Sequence, residues 1–318
     1  MGYLYALLGA LLFGANGSLA KLLVEGGISA TQLTLFRSLG TMLLAGLVLL
    51  VTDRAAFRLA PRQLLVMAVL GVRGVALVQA SYAAALAYLP VGVTLLLQYT
   101  AVLMVALVAF LVFKERVKAR LWVAIGLVLL GLGAVARPWE ARLDATGVAL
   151  AAVAAVTLAF YFLVGERQVG RTSPLAVAFW TMLFASAFWG AFSAWWELDP
   201  GTFTRPLDVG GQWGSWEVPL GVPLLVTVVG GSFLAFLLSF YALKHLSATA
   251  AGIVASAEVV FAFVVAWVWL GETLDPVGIA GATVVLAGIL LAQTARSTKT
   301  VVDAEMVLPA TPGVGGRP

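Results

Sequence analysis

The sequence predicts an all-α integral membrane protein with ten transmembrane helices, arranged as two inverted repeats of five helices and with both termini in the cytoplasm. The first observation is composition: of 318 residues, 62% are hydrophobic and only 11% are charged, and the mean hydropathy is +1.04. A water-soluble domain carries about a quarter charged residues. The second observation is that the apolar residues form unbroken runs of about 20, the length that crosses a bilayer as a helix. The third is an internal repeat.

Ten apolar runs are separated by short polar breaks that contain Gly, Pro, Asp or basic residues, which commonly end helices. The fifth run is short, because Arg137 follows it closely. The predicted spans are 3–24, 30–51, 64–88, 92–113, 121–136, 146–165, 175–196, 221–243, 248–270 and 276–295.

The distribution of lysine and arginine predicts the orientation of these spans. With the N-terminus inside, thirteen of the 19 basic residues fall in cytoplasmic segments, and three, Arg137, Arg142 and Arg205, fall in external loops. Cytoplasmic loops of membrane proteins carry such an excess, so both termini are predicted to be cytoplasmic. The longest external loop, 197–220, contains Trp213 and Trp216. We interpret it as an interfacial loop anchored by tryptophans, with a lid over an external vestibule as the alternative.

The internal repeat divides the chain into two halves. A shift of 157 residues places AALAYL at 84–89 on YALKHL at 241–246, and Gly131 on Gly288. A shift of 145 residues places Gly2 on Gly147, at the starts of the first and sixth spans. The predicted repeats are 1–137 and 138–295, followed by a disordered cytoplasmic tail, 296–318. Because each repeat has an odd number of spans, the second inserts upside down, as in many secondary transporters.

Three stretches resemble the EamA-type members of the drug/metabolite transporter superfamily. They are QYTAVLMVALVAFLVFKERV at 98–117, ASAEVVFAFVVAWVWLGETL at 255–274, and LTLFRSLGTMLLAGL at 33–47. The resemblance implies a fold of two inverted five-helix repeats, a central cavity lined by spans 1, 3, 4, 6, 8 and 9, and export of amino acids or related metabolites. The sequence departs from the family pattern at two positions. Lys114 precedes Glu115 where glycine is usual, and Val259 follows Glu258 where proline is frequent. The second departure predicts a less kinked ninth span.

Glu258 lies about ten residues into the ninth span, which places it near the bilayer midplane at about 1.5 Å rise per residue. A carboxylate at that depth needs a partner, a proton or water. Removal from water favours its protonated form, so one interpretation is a proton-coupling or amine-binding group. The other is a structural carboxylate bonded to a neighbouring helix.

Arg73 lies at a similar depth in the third span and needs a counter-charge or water. It is predicted to pair with Glu258 or to bind a substrate carboxylate, with a helix-packing role as the alternative. Lys21 and Arg37 lie in the outer thirds of the first two spans. They are predicted to extend to the external interface, or to make the cavity mouth electropositive.

Polar and aromatic side chains on the spans that the family uses for its cavity predict a site suited to a small zwitterion. Each of them alone is also explained by helix packing. The predicted substrate cavity comprises Asn16, Arg73, Gln79, Tyr82, Gln98, Tyr99, Tyr161, Ser239, Tyr241 and Glu258.

These observations predict a secondary active exporter of amino acids or related small metabolites in the plasma (inner) membrane, working by alternating access with proton coupling at Glu258. The alternatives are a facilitative carrier and a flippase-like transporter of lipid-linked or drug-like substrates. An enzyme is not expected, because the chain has one histidine, no cysteine and no nucleotide-binding glycine loop. No cofactor, metal or nucleic acid is expected; the predicted partners are the substrate and the bilayer, with the protein a monomer or homodimer.

Overall fold

The first half of the chain folds into helices of membrane dimensions. The computed structural model of the protein describes residues 1–85, 88–89, 91–114, 118–136, 139, 144–271 and 276–294. The predicted disordered tail, 296–318, lies outside the described residues. The first-half helices are α1 (Gly2–Glu25), α2 (Ala30–Thr52), α3 (Pro61–Ala85), α4 (Val91–Tyr99 and Ala101–Leu111) and α5 (Ala119–Ala136).

The second half follows the same order of elements. Its helices are α6 (Ala145–Val169), α7 (Pro174–Phe192), α8 (Gly221–His245), α9 (Ala248–Ala255, Ala257–Val265 and a π-helical end, Ala266–Leu270) and α10 (Pro276–Thr294). Short 3-10 turns lie at Arg54–Phe57, Trp195–Glu197, Pro200–Thr204 and Gly211–Trp213. The loop between α7 and α8 also contains a two-stranded antiparallel hairpin, β1 (Pro206–Asp208) with β2 (Glu217–Pro219), an addition to the predicted all-α fold.

Eight of the described helices are long and apolar enough to cross a membrane: α1–α4 and α6–α9. The apolar stretches of α5 and α10, Ala119–Ala134 and Pro276–Ala292, are shorter. Large hydrophobic side chains cover the outside of the helices, as with Leu47, which is 62% exposed, and Leu130, which is 71% exposed. Helices satisfy their own backbone hydrogen bonds, which makes such an apolar exterior compatible with lipid.

Helices α5 and α10 pack against each other through a symmetric pair of glycines. A Cβ added at Gly131 would lie 2.6 Å from the Gly281 carbonyl oxygen, and one added at Gly288 would lie 2.9 Å from the Ala124 carbonyl oxygen. The 157-residue shift exchanges these two contacts. Because the later residue of α5 contacts the earlier residue of α10, the helices are antiparallel, as equivalent helices of an inverted repeat must be.

A second symmetric pair of glycines relates α3 and α8. Gly74 lies against the backbone of Tyr161 on α6, and Gly231 lies against the Asn16 side chain on α1. The shift of 157 residues superposes the two glycines, and the shift of 145 superposes their two partners. Each glycine lies in a π-helical segment, Leu70–Ala76 in α3 and Val229–Leu234 in α8. Such segments widen a helix locally and often mark functional sites.

Helices α4 and α9 are interrupted at matching points. In α4 the break is at Thr100, whose hydroxyl donates to the Leu97 carbonyl at 2.6 Å. In α9 it is at Ser256, whose hydroxyl donates to the Ile253 carbonyl, also at 2.6 Å. Hydroxyls that bond back to the preceding turn bend helices. Ser256 thus provides an interruption of the ninth span without proline, and the expectation that this span is less kinked stays a prediction.

The loop 197–220, predicted to be external, is tied to the C-terminal end of α9. The Trp213 indole donates to the Val268 carbonyl at 3.1 Å, and the Trp269 indole donates to the Val209 carbonyl at 2.8 Å. Inside the loop, the backbone N–H groups of Gly210 and Trp216 donate to Asp208 and hold the pKa of that carboxyl below its usual range. The loop therefore contacts the helix that carries Glu258, while Trp213 stays 66% exposed.

The glycine contacts between α5 and α10 give a test of the packing. Gly131→Ala and Gly288→Ala should each lower the free energy of unfolding by about 1–3 kcal/mol, because the new methyl group meets backbone that cannot move aside. Gly126→Ala is the matched control, since no described atom lies within 4 Å of a Cβ there. The measurement is the thermal unfolding midpoint in detergent. A control that loses as much stability as Gly131→Ala would contradict the packing argument.

Candidate functional site

Glu258 is held by a tyrosine from the opposite repeat. The Tyr99 hydroxyl on α4 contacts Glu258 Oε2 at 2.6 Å, and Tyr99 is only 2% exposed. The same hydroxyl donates to the Ala255 carbonyl at 3.0 Å. Tyr99 directly precedes the break in α4, and Glu258 follows the break in α9. The two interruptions thus bring together two groups that the sequence predicted for one cavity.

The hydroxyl of Tyr99 has one hydrogen but two oxygen neighbours. When Glu258 is ionised, its carboxylate and the Ala255 carbonyl are both acceptors and compete for that hydrogen. When Glu258 is protonated, its carboxyl donates to the Tyr99 oxygen, and Tyr99 donates to Ala255. Both short contacts are then hydrogen bonds. The arrangement can therefore accommodate either protonation state, with one more bond in the protonated state.

Arg37, predicted at the external mouth, lies in the helix bundle instead. Its Nε donates to Ser232 Oγ at 2.7 Å, and its Nη2 donates to the Gly231 carbonyl at 3.3 Å. The side chain is partly buried, and it lies within electrostatic range of Glu258 and Tyr82. The expectation that Arg37 extends to the interface is wrong, because the π-helical segment of α8 offers these two acceptors closer by.

Asn16 lies on the stretch of α1 that packs between Gly231, which binds Arg37, and the backbone of Glu258. Its side chain lies directly on the Cα of Gly231, whose carbonyl accepts from Arg37. Asn16 is 5% exposed, and its Oδ1 has no hydrogen-bond partner among the described residues. Two residues earlier on α1, Gly14 packs so closely against α9 that an added Cβ would lie 2.6 Å from the Glu258 carbonyl oxygen. This short stretch of α1 therefore touches both α8 and α9 beside the charged groups.

The amides of the predicted cavity are also left without partners. Both polar atoms of Gln79 on α3 and Oε1 of Gln98 on α4 are buried and have no hydrogen-bond partner among the described residues. Gln98 is the neighbour of Tyr99, and Tyr82 on α3 is partly buried. Buried polar atoms are normally bonded to protein or to water, so each of these needs an explanation. Water or a ligand between α1, α3 and α4 would supply one.

Tyr161, Ser239 and Tyr241 form contacts at other levels of the bundle. The Tyr161 hydroxyl donates to Ser239 Oγ at 3.0 Å, joining α6 to α8. Tyr241 packs against Tyr5, with ring centroids 5.5 Å apart. Ser239 lies seven residues beyond Ser232, which is about 10 Å along the helix. The structure therefore pairs Tyr161 with Ser239 and Tyr241 with Tyr5, and no described contact joins these residues to Glu258.

Arg73 is not among the described contacts of Glu258. The Arg73 side chain is exposed and forms no hydrogen bond or ion pair with any residue that the structure describes. The Arg73–Glu258 pair that the sequence left open is therefore not formed. The side chain of Lys21 lies outside what the structure describes. Their assignments to the cavity and its mouth stay predictions.

Sequence reasoning overlooked Ser232, Gly231, Thr100 and Ser256. A signal for the first two was present, since Gly230, Gly231 and Ser232 form a run of small residues within an apolar span. Small residues allow close helix approach. The hydroxyls of Thr100 and Ser256 gave no such signal, because serine and threonine are common in membrane helices and their back-bonding depends on local geometry.

A separate cavity of about 290 Å³ opens between α4, α6 and the start of α9. The Glu166 carboxylate accepts from the Ala248 backbone N–H at 2.9 Å, and the Arg167 guanidinium lies 4.0 Å from the centre of the Phe113 ring. Ligand pockets for small molecules usually measure about 300–1,000 Å³. This cavity is at the lower limit, whereas a flippase-like carrier would need a wide basic one.

The described residues contain no cluster of three or more metal-binding side chains. The described contacts of Glu258 and Arg37 are hydrogen bonds and a charge–charge interaction. Within the described residues, those groups come from both repeats and meet between α2, α4, α8 and α9.

The chain was compared with known families and proteins. The model of the EamA-like transporter family matches residues 1–137 and 145–294. The chain belongs to the EamA-like transporter family. This confirms the predicted resemblance to the drug/metabolite transporter superfamily. Its relatives include an uncharacterized transporter of Archaeoglobus fulgidus, 28% identical over 67% of this chain and 71% of that protein.

A second relative carries a substrate in its name. The threonine/homoserine exporter RhtA of Escherichia coli K12 is 29% identical over 67% of this chain, and the match spans 64% of the RhtA length. A crystal structure with 17% sequence identity superposes with a TM-score of 0.72, covering 92% of this chain and 97% of that one. The fold is therefore shared with a solved protein, and this EamA-like chain is a multi-pass membrane transport protein.

The Tyr99–Glu258 contact gives a direct test of the site. Tyr99→Phe should lower the free energy of unfolding by about 1.5–3 kcal/mol, because it leaves a buried carboxyl without its partner. Tyr88→Phe is the control, since Tyr88 is 51% exposed. Thermal unfolding in detergent at pH 7 measures both. Equal midpoints for Tyr99→Phe and the unmutated protein would show that the contact contributes nothing to stability.

Proposed function

We propose that this protein is a secondary active transporter that exports amino acids or related small metabolites by alternating access, with proton coupling through Glu258. The observation that carries the proposal is the Tyr99–Glu258 contact at the paired interruptions of α4 and α9. A carboxyl held inside an apolar bundle, at the junction of two repeats, is a typical position for a coupling group in transporters.

The proton coupling is supported by the hydrogen bonds around Tyr99. In the state described here, protonated Glu258 satisfies both contacts of the Tyr99 hydroxyl, at 2.6 and 3.0 Å. Loss of the proton leaves the Ala255 carbonyl in competition with a carboxylate. After deprotonation the single Tyr99 hydrogen serves either the carboxylate or the Ala255 carbonyl, so α4 loses one of its two hydrogen bonds to α9. A change in helix contacts that follows a proton is what alternating access with proton antiport requires.

The substrate class rests on the site chemistry together with the relatives. Asn16, Gln79 and Gln98 supply neutral polar groups, and Arg37 and Glu258 supply one charge of each sign. A sugar phosphate or nucleotide-linked group would require a cluster of basic residues. The name of RhtA, threonine/homoserine exporter, agrees with a small zwitterion.

The proposed topology has ten spanning helices in repeats 1–137 and 138–295, with both termini on the cytoplasmic side of the plasma membrane. In this arrangement α5 and α10 cross as short helices, which their antiparallel packing supports. The basic loops are cytoplasmic. The tryptophan-bearing hairpin is external, and Trp213 and Trp216, each 66% exposed, lie at the level of the headgroups.

Transport in proteoliposomes tests the function. With an imposed pH gradient, the unmutated protein should accumulate labelled threonine or homoserine. The gradient-driven rate of Glu258→Gln should be at least tenfold below that of the unmutated protein, because glutamine cannot release a proton. Glutamine otherwise keeps the shape of the side chain and a hydrogen bond to Tyr99. Glu197→Gln, in the external loop, is the matched control and should transport normally.

Two outcomes would count against the proposal. Equal, gradient-independent flux for Glu258→Gln and the unmutated protein would make Glu258 structural and the protein a facilitator. No flux for any amino acid would contradict the substrate class and direct the search to lipid-linked and drug-like substrates.

Single cysteines test the topology, since the chain has no cysteine of its own. Ser215→Cys in the hairpin and Ala55→Cys between α2 and α3 are both at exposed positions. A membrane-impermeant maleimide should label only Ser215→Cys in intact cells, and both variants in permeabilised cells. Labelling of Ala55→Cys alone in intact cells would reverse the orientation.

A further inference from the structure

We propose that Arg37 binds the substrate carboxylate, and that Arg37 and Glu258 together select zwitterions. This inference rests on the proposed function and adds to it the residue that determines substrate class. The sequence had placed Arg37 at the external mouth and had considered Arg73 for carboxylate binding.

The first argument is the way in which Arg37 is anchored. Nε and Nη2 donate to two neutral acceptors on the π-helical segment of α8, Ser232 Oγ and the Gly231 carbonyl. Two bonds to one segment fix the plane of a guanidinium. Within the described residues, Nη1 makes no hydrogen bond, so the fixed group still has donors to offer.

The second argument is charge. The acceptors that hold Arg37 are neutral, and the carboxyl of Glu258, although within electrostatic range of Arg37, contacts Tyr99 and forms no salt bridge with the guanidinium among the described residues. A guanidinium at membrane depth requires a counter-charge or water. In the described residues, Arg37 forms no salt bridge. A substrate carboxylate would supply the missing charge in the bidentate geometry that arginine favours.

The third argument is independent of both charges. Asn16 Oδ1 is buried beside Gly231 without a donor, and Oε1 of Gln98, the residue before Tyr99 on α4, is buried without a donor among the described residues. Unpaired buried acceptors are costly. An ammonium group has three donors and no acceptor, so it complements such oxygens. Asn16 on α1 and Gln98 on α4 present acceptors that suit an ammonium group. Arg37 on α2 presents free donors that suit a carboxylate. Together these groups match the two ends of a zwitterion.

The same arrangement excludes other ligand classes. A dianionic phosphate meets one arginine and a carboxyl, which is a poor match for two negative charges. A substrate with an ammonium but no carboxylate leaves Arg37 unpaired. The structure therefore predicts that discrimination depends on the carboxylate, and that the side chain of the amino acid contributes less.

The test compares threonine with threonine amide, which lacks the carboxylate, in proteoliposomes containing full-length protein. The unmutated protein should transport threonine with a KM at least tenfold below that for the amide. Arg37→Gln should raise the KM for threonine tenfold or more and change the KM for the amide less than twofold, which removes the preference. Arg58→Gln, at an exposed loop position, is the control and should change neither KM.

A second variant keeps the test decisive if Arg37→Gln does not fold. Arg37→Lys keeps the positive charge but loses the paired N–H donors that bind a carboxylate in bidentate fashion. It should raise the KM for threonine several-fold and leave the KM for threonine amide unchanged. Equal loss for threonine and the amide in a folded Arg37 variant would make Arg37 a packing residue and overturn the inference, while the proposed function stands. If the unmutated protein transports no amino acid, the proposed function and this inference both fail.

Discussion

The cost of placing ionisable groups in an apolar bundle is the constraint on which the central part of this structure depends. Glu258 and Arg37 both lie in helices of membrane length, and neither is left in a purely apolar environment. The glutamate is met by Tyr99, and the arginine by Ser232 and the Gly231 carbonyl. Each of these two sets of contacts lies at an irregular segment of a helix. The breaks at Thr100 and Ser256 bring the first pair together, and the π-helical segment of α8 supplies acceptors for the second.

The repeat explains how these irregularities arise in pairs. Matching interruptions in α4 and α9, matching π-helical segments in α3 and α8, and matching glycine contacts between α5 and α10 follow the same offsets within a few residues. The side chains at the equivalent positions have nevertheless diverged. Asn16 in the first repeat corresponds to Tyr161 in the second, and one lies beside the charged groups while the other bonds Ser239. A symmetric backbone thus carries an asymmetric site, which a transporter needs if its two exposed states are to bind one substrate.

The external loop extends this asymmetry to the surface. Its hairpin belongs to the second repeat, and its bonds run to the carbonyls at the π-helical end of α9. Since α9 also carries Glu258, the loop and the central carboxyl share one helix interrupted at Ser256. Glu258 and the loop contacts lie on the same side of that break, so movement of Ala248–Ala255 relative to the rest of α9 would leave the loop contacts in place.

The sequence by itself determined the membrane class, the family and the repeat, because hydrophobic length and charge distribution are properties of the chain that need no tertiary contact. It also placed Tyr99 and Glu258 in one cavity. It assigned Arg73 to the cavity and Arg37 to its mouth, since depth along a helix is readable from residue count but rotation about the helix axis is not. Only the tertiary structure decided which way each arginine faces, because the rotation of a helix follows from close contacts such as Gly40 of α2 with Val228 on α8 and Gly71 of α3 with the Thr181 backbone on α7. Those contacts place Arg37 among the polar groups and leave Arg73 outside them.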